Sequence, residues 1–303
     1  MDFVLTDDHA AMQQALRGVL ASRSPLAVDP DGGHVVDRTL WAELGAMGVF
    51  DASGLGLTEA VIVFEELGRA AVPGPVVPTL LASGVIDGAA QGTTVVGCTT
   101  ASTPALVEHL TDLDVLLVDR GSRVESVTDL PAGSVAAEPL DPLTPVWRVE
   151  RLPDAPSVEM PASWRSTGGL LGAAFQIGLG QTALDLVVGH ALHRRQFGRA
   201  IGSFQAVKHL LADAAMSVEV ARAAVHAAAV TVDEGGPSTR LVAGARVVAS
   251  AAADRACRAG IQVHGGLGFT WDLDAHRLLK RSWVLDAAFG GVDAALLEVA
   301  GTL

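Results

Sequence analysis

Tyrosine is missing from this chain of 303 residues, and lysine occurs only at Lys208 and Lys280. Arginine therefore carries nearly all the positive charge, a compositional bias without functional meaning. Cysteine is scarce: Cys98 and Cys257 stand far apart, no Cys-x-x-Cys occurs, and no disulfide framework is implied. Positive charge as a whole is short, with 21 Lys and Arg against 34 Asp and Glu, for a net charge of −13. An acidic surface repels phosphate backbones and anionic membranes, which excludes general nucleic-acid binding. An anionic ligand has to be met by local arginines against that background. No run of about 18 apolar residues is free of charge, so no membrane span is expected. The opening Met1-Asp2-Phe3-Val4-Leu5-Thr6-Asp7-Asp8 is acidic where a signal peptide is basic. The expectation is a soluble, cytoplasmic protein. No grouping of His, Cys and Asp shows metal-ligand spacing.

Apolar residues are plentiful, at 50%, enough for a sizeable core in two or three modest domains or one large one. Residues 1–90 read as a helical domain. Thr6 is placed to cap a helix whose first turn holds Asp7 and Asp8. Leu40, Trp41, Leu44 and Met47 form a second helical stripe. Thr58 opens a third helix that ends near Gly68, and Pro73, Pro75 and Pro78 break the chain before an apolar segment, residues 79–86. Residues 91–158 change to short β-branched runs at 93–98, 115–118, 124–127 and 146–149, separated by turn formers, which predicts a small antiparallel β unit. Residues 159–303 return to helix. A long apolar helix is expected over 164–194; its glycines, Gly168, Gly169, Gly172, Gly178 and Gly180, cost helix propensity and point to close approach of neighbouring helices. Ser203 is placed to cap the next helix. Pro237 precedes a third over 238–260, and a last helical stretch covers 274–299. Four helices with short connections predict an antiparallel bundle, and the fold class is mainly α.

Two segments carry the chemistry. In the first, Arg194, Arg195 and Arg199 surround Gln196-Phe197-Gly198 at a helix-to-helix junction, with Gln205 in the following helix. A helix start offers unpaired N–H groups and positive partial charge, and arginines beside it make a seat for a pyrophosphate. Phe197 can stack on an aromatic ring or fill the core. In the second, Gln262 and His264 precede Gly265-Gly266 at another helix end, where glycines permit positive φ and let a ligand approach the backbone.

Together these segments resemble the C-terminal domain of acyl-CoA dehydrogenases. The resemblance matches Arg194, Phe197 and Gly198 to one family motif, and Gln262, Gly265 and Gly266 to the other. It implies that they hold the ADP half of FAD across a subunit interface, with Gln196, Gln205 and His264 beside them. Leu40–Gly48 and Phe64–Arg69 resemble the family's N-terminal helical domain. Phe269-Thr270-Trp271-Asp272, with His276, Arg277, Lys280 and Arg281, is most similar to bacterial subfamilies that process steroid side chains and other bulky CoA thioesters. That basic stripe is expected at an interface; a CoA phosphate or plain exposure are the alternatives. His264 is as readily a locally bonded turn residue.

The chain also departs from the family. Acyl-CoA dehydrogenation needs a carboxylate that takes the α proton, a flavin that receives hydride from the β carbon, and a polarised thioester carbonyl. The usual base position holds Phe289, and a second position used by some members holds Gly168. Asp286 and Glu298 are nearby carboxylates; either could be a displaced base, and a solvated face or helix-end charge is the plainer reading. The middle β domain is about half the family's size; Ser102, Thr103 and Trp147 are faint echoes of the parts that hold the flavin ring. Some bacterial members similar to this chain are α2β2 heterotetramers pairing a complete subunit with a degenerate one. The resemblance thus implies a degenerate FAD-clasping subunit, with acyl-CoA held mainly by the complete partner. Two other readings stay open: a self-sufficient homo-oligomer with a displaced carboxylate base, and a scaffold with no flavin role.

Overall fold

The structure, a computed structural model, describes residues 6–21, 34–51, 54, 56–135, 139–236 and 238–301. The opening Met1–Leu5 and the expected helix-starting Pro237 lie outside the described residues. The chain divides into two compact units: one comprises residues 1–26, 57–72 and 169–303, the other residues 27–56 and 73–168.

The first unit is helical. It contains α1 (Asp7–Ala21), α3 (Leu57–Arg69), most of α5 (Trp164–His193), α6 (Gln205–Asp233), α7 (Thr239–His264), α8 (Ala275–Ala287) and α9 (Gly291–Gly301). The glycines of α5 act as their number suggests. A Cβ on Gly178 would stand 2.1 Å from the Glu65 carbonyl oxygen, and one on Gly68 of α3 would stand 2.0 Å from that of Phe175. The two helices therefore cross backbone to backbone. The start of α3 is capped from a distance: the Asp233 carboxylate, at the end of α6, accepts from the Leu57 and Thr58 amides at 2.9 and 2.8 Å and from the Thr58 hydroxyl at 2.6 Å. Two buried carboxylates of α3 tie the helices together. Glu66 accepts from Arg17 through two bonds of 2.6 Å, and Glu65 accepts from Arg222 at 2.9 Å.

Two expectations about this unit need correction. Ser203 is not a helix cap; it lies in a single 3-10 turn, Ile201–Ser203, and α6 begins after Phe204, whose side chain makes no capping bond. The last helical stretch is broken between α8 and α9 at Ala288–Gly290, where Phe289 takes φ 50 and ψ 46. Gly290 and Gly291 continue the left-handed run at φ 89 and 80, which a helix cannot absorb. By length and composition alone α5 and α6 pass a test for membrane-crossing helices, a test that core helices pass as well and that does not indicate a membrane. Most of that window is buried in α5, as in a core helix, but only 33% of it is buried in α6.

The second unit holds α2 (Arg38–Ala46), α4 (Val76–Leu81) and the strands. Trp41 and Phe50 are buried with their rings 5.1 Å apart. Pro78 lies inside α4 rather than ahead of it, in the first turn, where its missing N–H is not needed. The sheet is mixed, not antiparallel throughout. β1 (Val96–Thr100) runs parallel to β3 (Val115–Asp119), which pairs antiparallel with β4 (Val124–Val127), and that with β7 (Ser157–Val158). Between β1 and β3 the chain leaves for a second, antiparallel sheet through β2 (Ala105–Glu108), which pairs with β6 (Val146–Val149), itself paired with β5 (Ser134–Val135). This long crossover is what permits parallel pairing.

Candidate functional site

The first segment is a hairpin. After α5 ends, β8 (Arg195–Gln196) pairs with β9 (Arg199–Ala200) across the two-residue turn Phe197-Gly198. Both turn residues have positive φ, 52 and 78, the geometry of a type I′ turn, whose twist suits a tight hairpin. Arg194, Arg195, Gln196, Phe197, Gly198 and Arg199 are all exposed, as is Gln205 at the start of α6. Phe197 is 92% exposed and is not core; its ring meets Phe204 edge-on at 6.1 Å, and the Arg199 guanidinium covers Phe204 at 4.0 Å. Among the described residues no carboxylate pairs with Arg194, Arg195 or Arg199.

The second segment closes α7. Gln262 is exposed, His264 is half-buried, and its Nδ1 donates to the Gly260 carbonyl at 2.7 Å. Gly265 ends the helix at φ 65 and ψ −139. A Cβ on Gly265 or Gly266 would meet nothing within 4 Å, so the backbone there faces open space. The two segments converge: the His190 ring, one turn before the hairpin, lies 4.3 Å from the His264 ring. Three guanidinium groups without a carboxylate partner among the described residues, an α6 start without a side-chain cap and an open glycine turn form a donor set suited to a pyrophosphate.

At the expected base positions there is no carboxylate. Gly168 is buried within α5. Phe289 is half-buried, and its carbonyl accepts from Arg246 Nη1 at 3.1 Å while that of Ala288 accepts from Nη2 at 2.9 Å. Arg246 also fills the space over Gly169, where a Cβ would stand 2.6 Å from its side chain. Burial lowers the Arg246 pKa, and Glu298 and Asp286 partly offset this. Asp286, considered as a displaced base, accepts from the Gln176 amide at 2.6 Å. Sequence reasoning missed Arg246 and His190; the only signal for Arg246 was a lone arginine in the alanine- and valine-rich run of residues 242–253.

The basic stripe divides. His276 and Arg281 are buried, with Arg281 donating to the Val72 carbonyl at 3.2 Å. Arg277 and Lys280 instead cover the exposed Trp271 ring at 5.3 and 4.9 Å. His276 packs edge-on against Trp271 at 4.7 Å, and burial, then Lys280, push its pKa below the ordinary histidine value.

Residues 169–301 match the family model "Acyl-CoA dehydrogenase, C-terminal domain". Acyl-CoA dehydrogenase IpdE2 of Mycobacterium tuberculosis is 32% identical over 292 residues, covering 92% of this chain and 90% of the relative. Among solved structures, the ChsE4–ChsE5 complex from Mycobacterium tuberculosis matches with a TM-score of 0.80 at 23% identity, covering 99% of this chain and 98% of the other. The Tcur3481–Tcur3483 steroid acyl-CoA dehydrogenase, a G363A variant, matches with a TM-score of 0.81 at 22% identity and 97% coverage of both chains. The structural likenesses carry the fold, and other solved relatives of that fold hold FAD. Similarity over nearly the whole length of a curated relative, joined to the C-terminal domain match, places the chain in the acyl-CoA dehydrogenase family.

Proposed function

We propose that this chain is the FAD-clasping, base-free subunit of a heteromeric acyl-CoA dehydrogenase. The single observation that carries the proposal is a contrast. The hairpin and the glycine turn keep a complete anion-binding donor set, while both family base positions hold residues that cannot take a proton. Phe289 has a hydrocarbon ring there, and its backbone is tied down by Arg246. Asp286 is engaged with Gln176, which argues against a displaced base.

Arg194, with Arg195 and Arg199, would neutralise the pyrophosphate of FAD; Gln196, Gln205 and Gln262 would hydrogen-bond the ADP half; Phe197 would stack against it. The backbone of Gly265 and Gly266 would let that half approach α7, beside His264. FAD, when bound, supplies the hydride acceptor of the reaction. Apart from the half-buried His264, these groups are exposed, the arrangement expected of residues that serve a cofactor shared with a neighbour. The same region carries exposed apolar side chains, Leu186, Val188 and Leu192 on α5 and Met216 and Val220 on α6, a surface of the kind that partners cover. A complete acyl-CoA dehydrogenase subunit would supply the base, the ring pocket and most of the acyl-CoA contacts. We read the assembly as a cytoplasmic α2β2 heterotetramer acting on a bulky substrate such as a steroid side-chain CoA thioester; the likeness to a two-protein complex and to a steroid acyl-CoA dehydrogenase supports a heteromer.

The experiment is coexpression with the partner gene followed by flavin quantification. One FAD per pair of unlike chains is expected, and one FAD per chain would overturn the proposal. Arg194→Ala in that complex is expected to weaken FAD retention by roughly ten- to a hundredfold, the scale of a lost charge-assisted bond. Unchanged FAD content would favour a scaffold without a flavin role.

A further inference from the structure

One residue of the clasp region belongs to neither motif. His190 lies on α5, half-buried, with its ring 4.3 Å from that of His264 and tilted by 35°. Two imidazoles at that distance are poor neighbours if both are charged. His264 has a defined role, since its Nδ1 hydrogen goes to the Gly260 carbonyl. That bond fixes the tautomer and leaves Nε2 as the nitrogen open to a ligand. Among the described residues, neither ring nitrogen of His190 has a hydrogen-bond partner.

The pair sits where the two anion-binding segments join. Arg194, whose amide donates to the His190 carbonyl at 2.8 Å, opens the hairpin one turn beyond His190, and Gly265 follows directly on His264. We propose that His190 is a further nucleotide-contact residue of the clasp, in ring contact with His264, and that FAD is taken up together with a proton held by the His190 imidazole. The inference rests on the FAD-clasping role proposed above and adds to it a residue and a coupled proton.

The electrostatics agree with the geometry. Burial, then His264 on α7, then Arg194 on its own helix push the His190 pKa below the ordinary histidine value, so the free clasp keeps this ring neutral near pH 7. The 3-10 turn packed against Ala191 through Gly202 brings no titratable side chain. A pyrophosphate placed between Arg194 and His264 reverses the balance, because an anion favours the charged form. The bound-state pKa then exceeds the free-state value. Binding gains strength as pH falls through the bound-state pKa, and that gain is fully present below the free-state pKa.

The test uses the heteromeric complex, stripped of flavin and titrated with FAD between pH 6 and pH 8 by calorimetry in two buffers of different ionisation enthalpy. The wild type is expected to take up part of a proton on binding near pH 7 and to bind about tenfold more tightly at pH 6 than at pH 8. His190→Gln, which keeps a polar side chain but cannot titrate, is expected to lose the proton uptake and flatten the pH profile. His190→Asn serves as a second, independent variant, and a thermal melt confirms that each complex is folded. Arg194→Ala is expected to weaken binding at every pH while keeping the slope. Wild-type proton uptake and slope in the folded His190 variants would overturn the inference, as would a wild type that takes up no proton. An Arg194→Ala complex that binds FAD normally would overturn the clasp itself, a separate result.

Discussion

Phe289 occupies a backbone conformation that costs a side-chain-bearing residue of the order of 1–3 kcal/mol. Arg246 holds it there with two carbonyl bonds. Removing the guanidinium leaves two carbonyls less well satisfied and opens the space above Gly169. Arg246→Ala is expected to destabilise the chain by roughly 2 kcal/mol, a fall in Tm of several degrees, with FAD content in the complex unchanged. A simple restoration of the base is expected to fail. In Phe289→Glu the new carboxylate hangs from the residue whose carbonyl the half-buried Arg246 guanidinium holds, and that nearby positive charge favours its ionised form and makes it a weak base. No gain in acyl-CoA-dependent reduction of a dye acceptor is expected from that variant in the absence of the partner; a clear gain would show that only the carboxylate was missing.

The α3–α5 crossing sets stability at the level of elements. Gly178→Ala would drive a methyl into the Glu65 carbonyl, a backbone atom that cannot swing away. The expected loss is about 1–3 kcal/mol or more, readable in chemical denaturation. The neighbouring carboxylate gives this packing a pH dependence. Burial alone raises the Glu65 pKa, but His226 at 3.7 Å and Arg222 at 2.9 Å outweigh it and hold the carboxyl below the ordinary glutamate value. Since the folded-state value is lowered, the stabilisation is present above the unfolded-state pKa and fades as pH falls through the folded one. Thermal melts between pH 7 and pH 3 should show this loss, and Glu65→Gln should show less of it. Most helices were legible in the sequence because apolar residues recur at helical spacing. The hairpin at Arg195–Ala200 was not, since two-residue strands carry no period and Phe197 is an unusual residue at positive φ. The parallel β1–β3 pair was hidden too, because strand direction is set by a crossover and not by local pattern. The break at Phe289 was signalled by Gly290-Gly291 and was read through.

For the whole molecule, α6 is an apolar helix left largely uncovered by its own unit. Met216, 62% exposed, lies on that surface. Met216→Glu is expected to leave the stability of the separate chain within about 0.5 kcal/mol of wild type, as for exposed positions generally, while reducing co-purification with the partner. Retained association would place the contact elsewhere. The candidate site was legible as residue types, since Arg194, Phe197, Gln262, Gly265 and Gly266 were each singled out from the sequence. What joins them was not, because the His190–His264 contact links positions 74 apart in the chain (264 − 190).

One rod, α5, carries both fates of this protein. Gly169, under the Arg246 side chain, and His190, beside the hairpin, are 21 residues apart (190 − 169) on one unbroken helix. At 1.5 Å per residue that is roughly 30 Å. Mutations that erode chemistry at one end therefore reach the other only weakly. If the proposed clasp holds, a spacing fixed by helix geometry would separate retention of the nucleotide at one end of α5 from changes at the other.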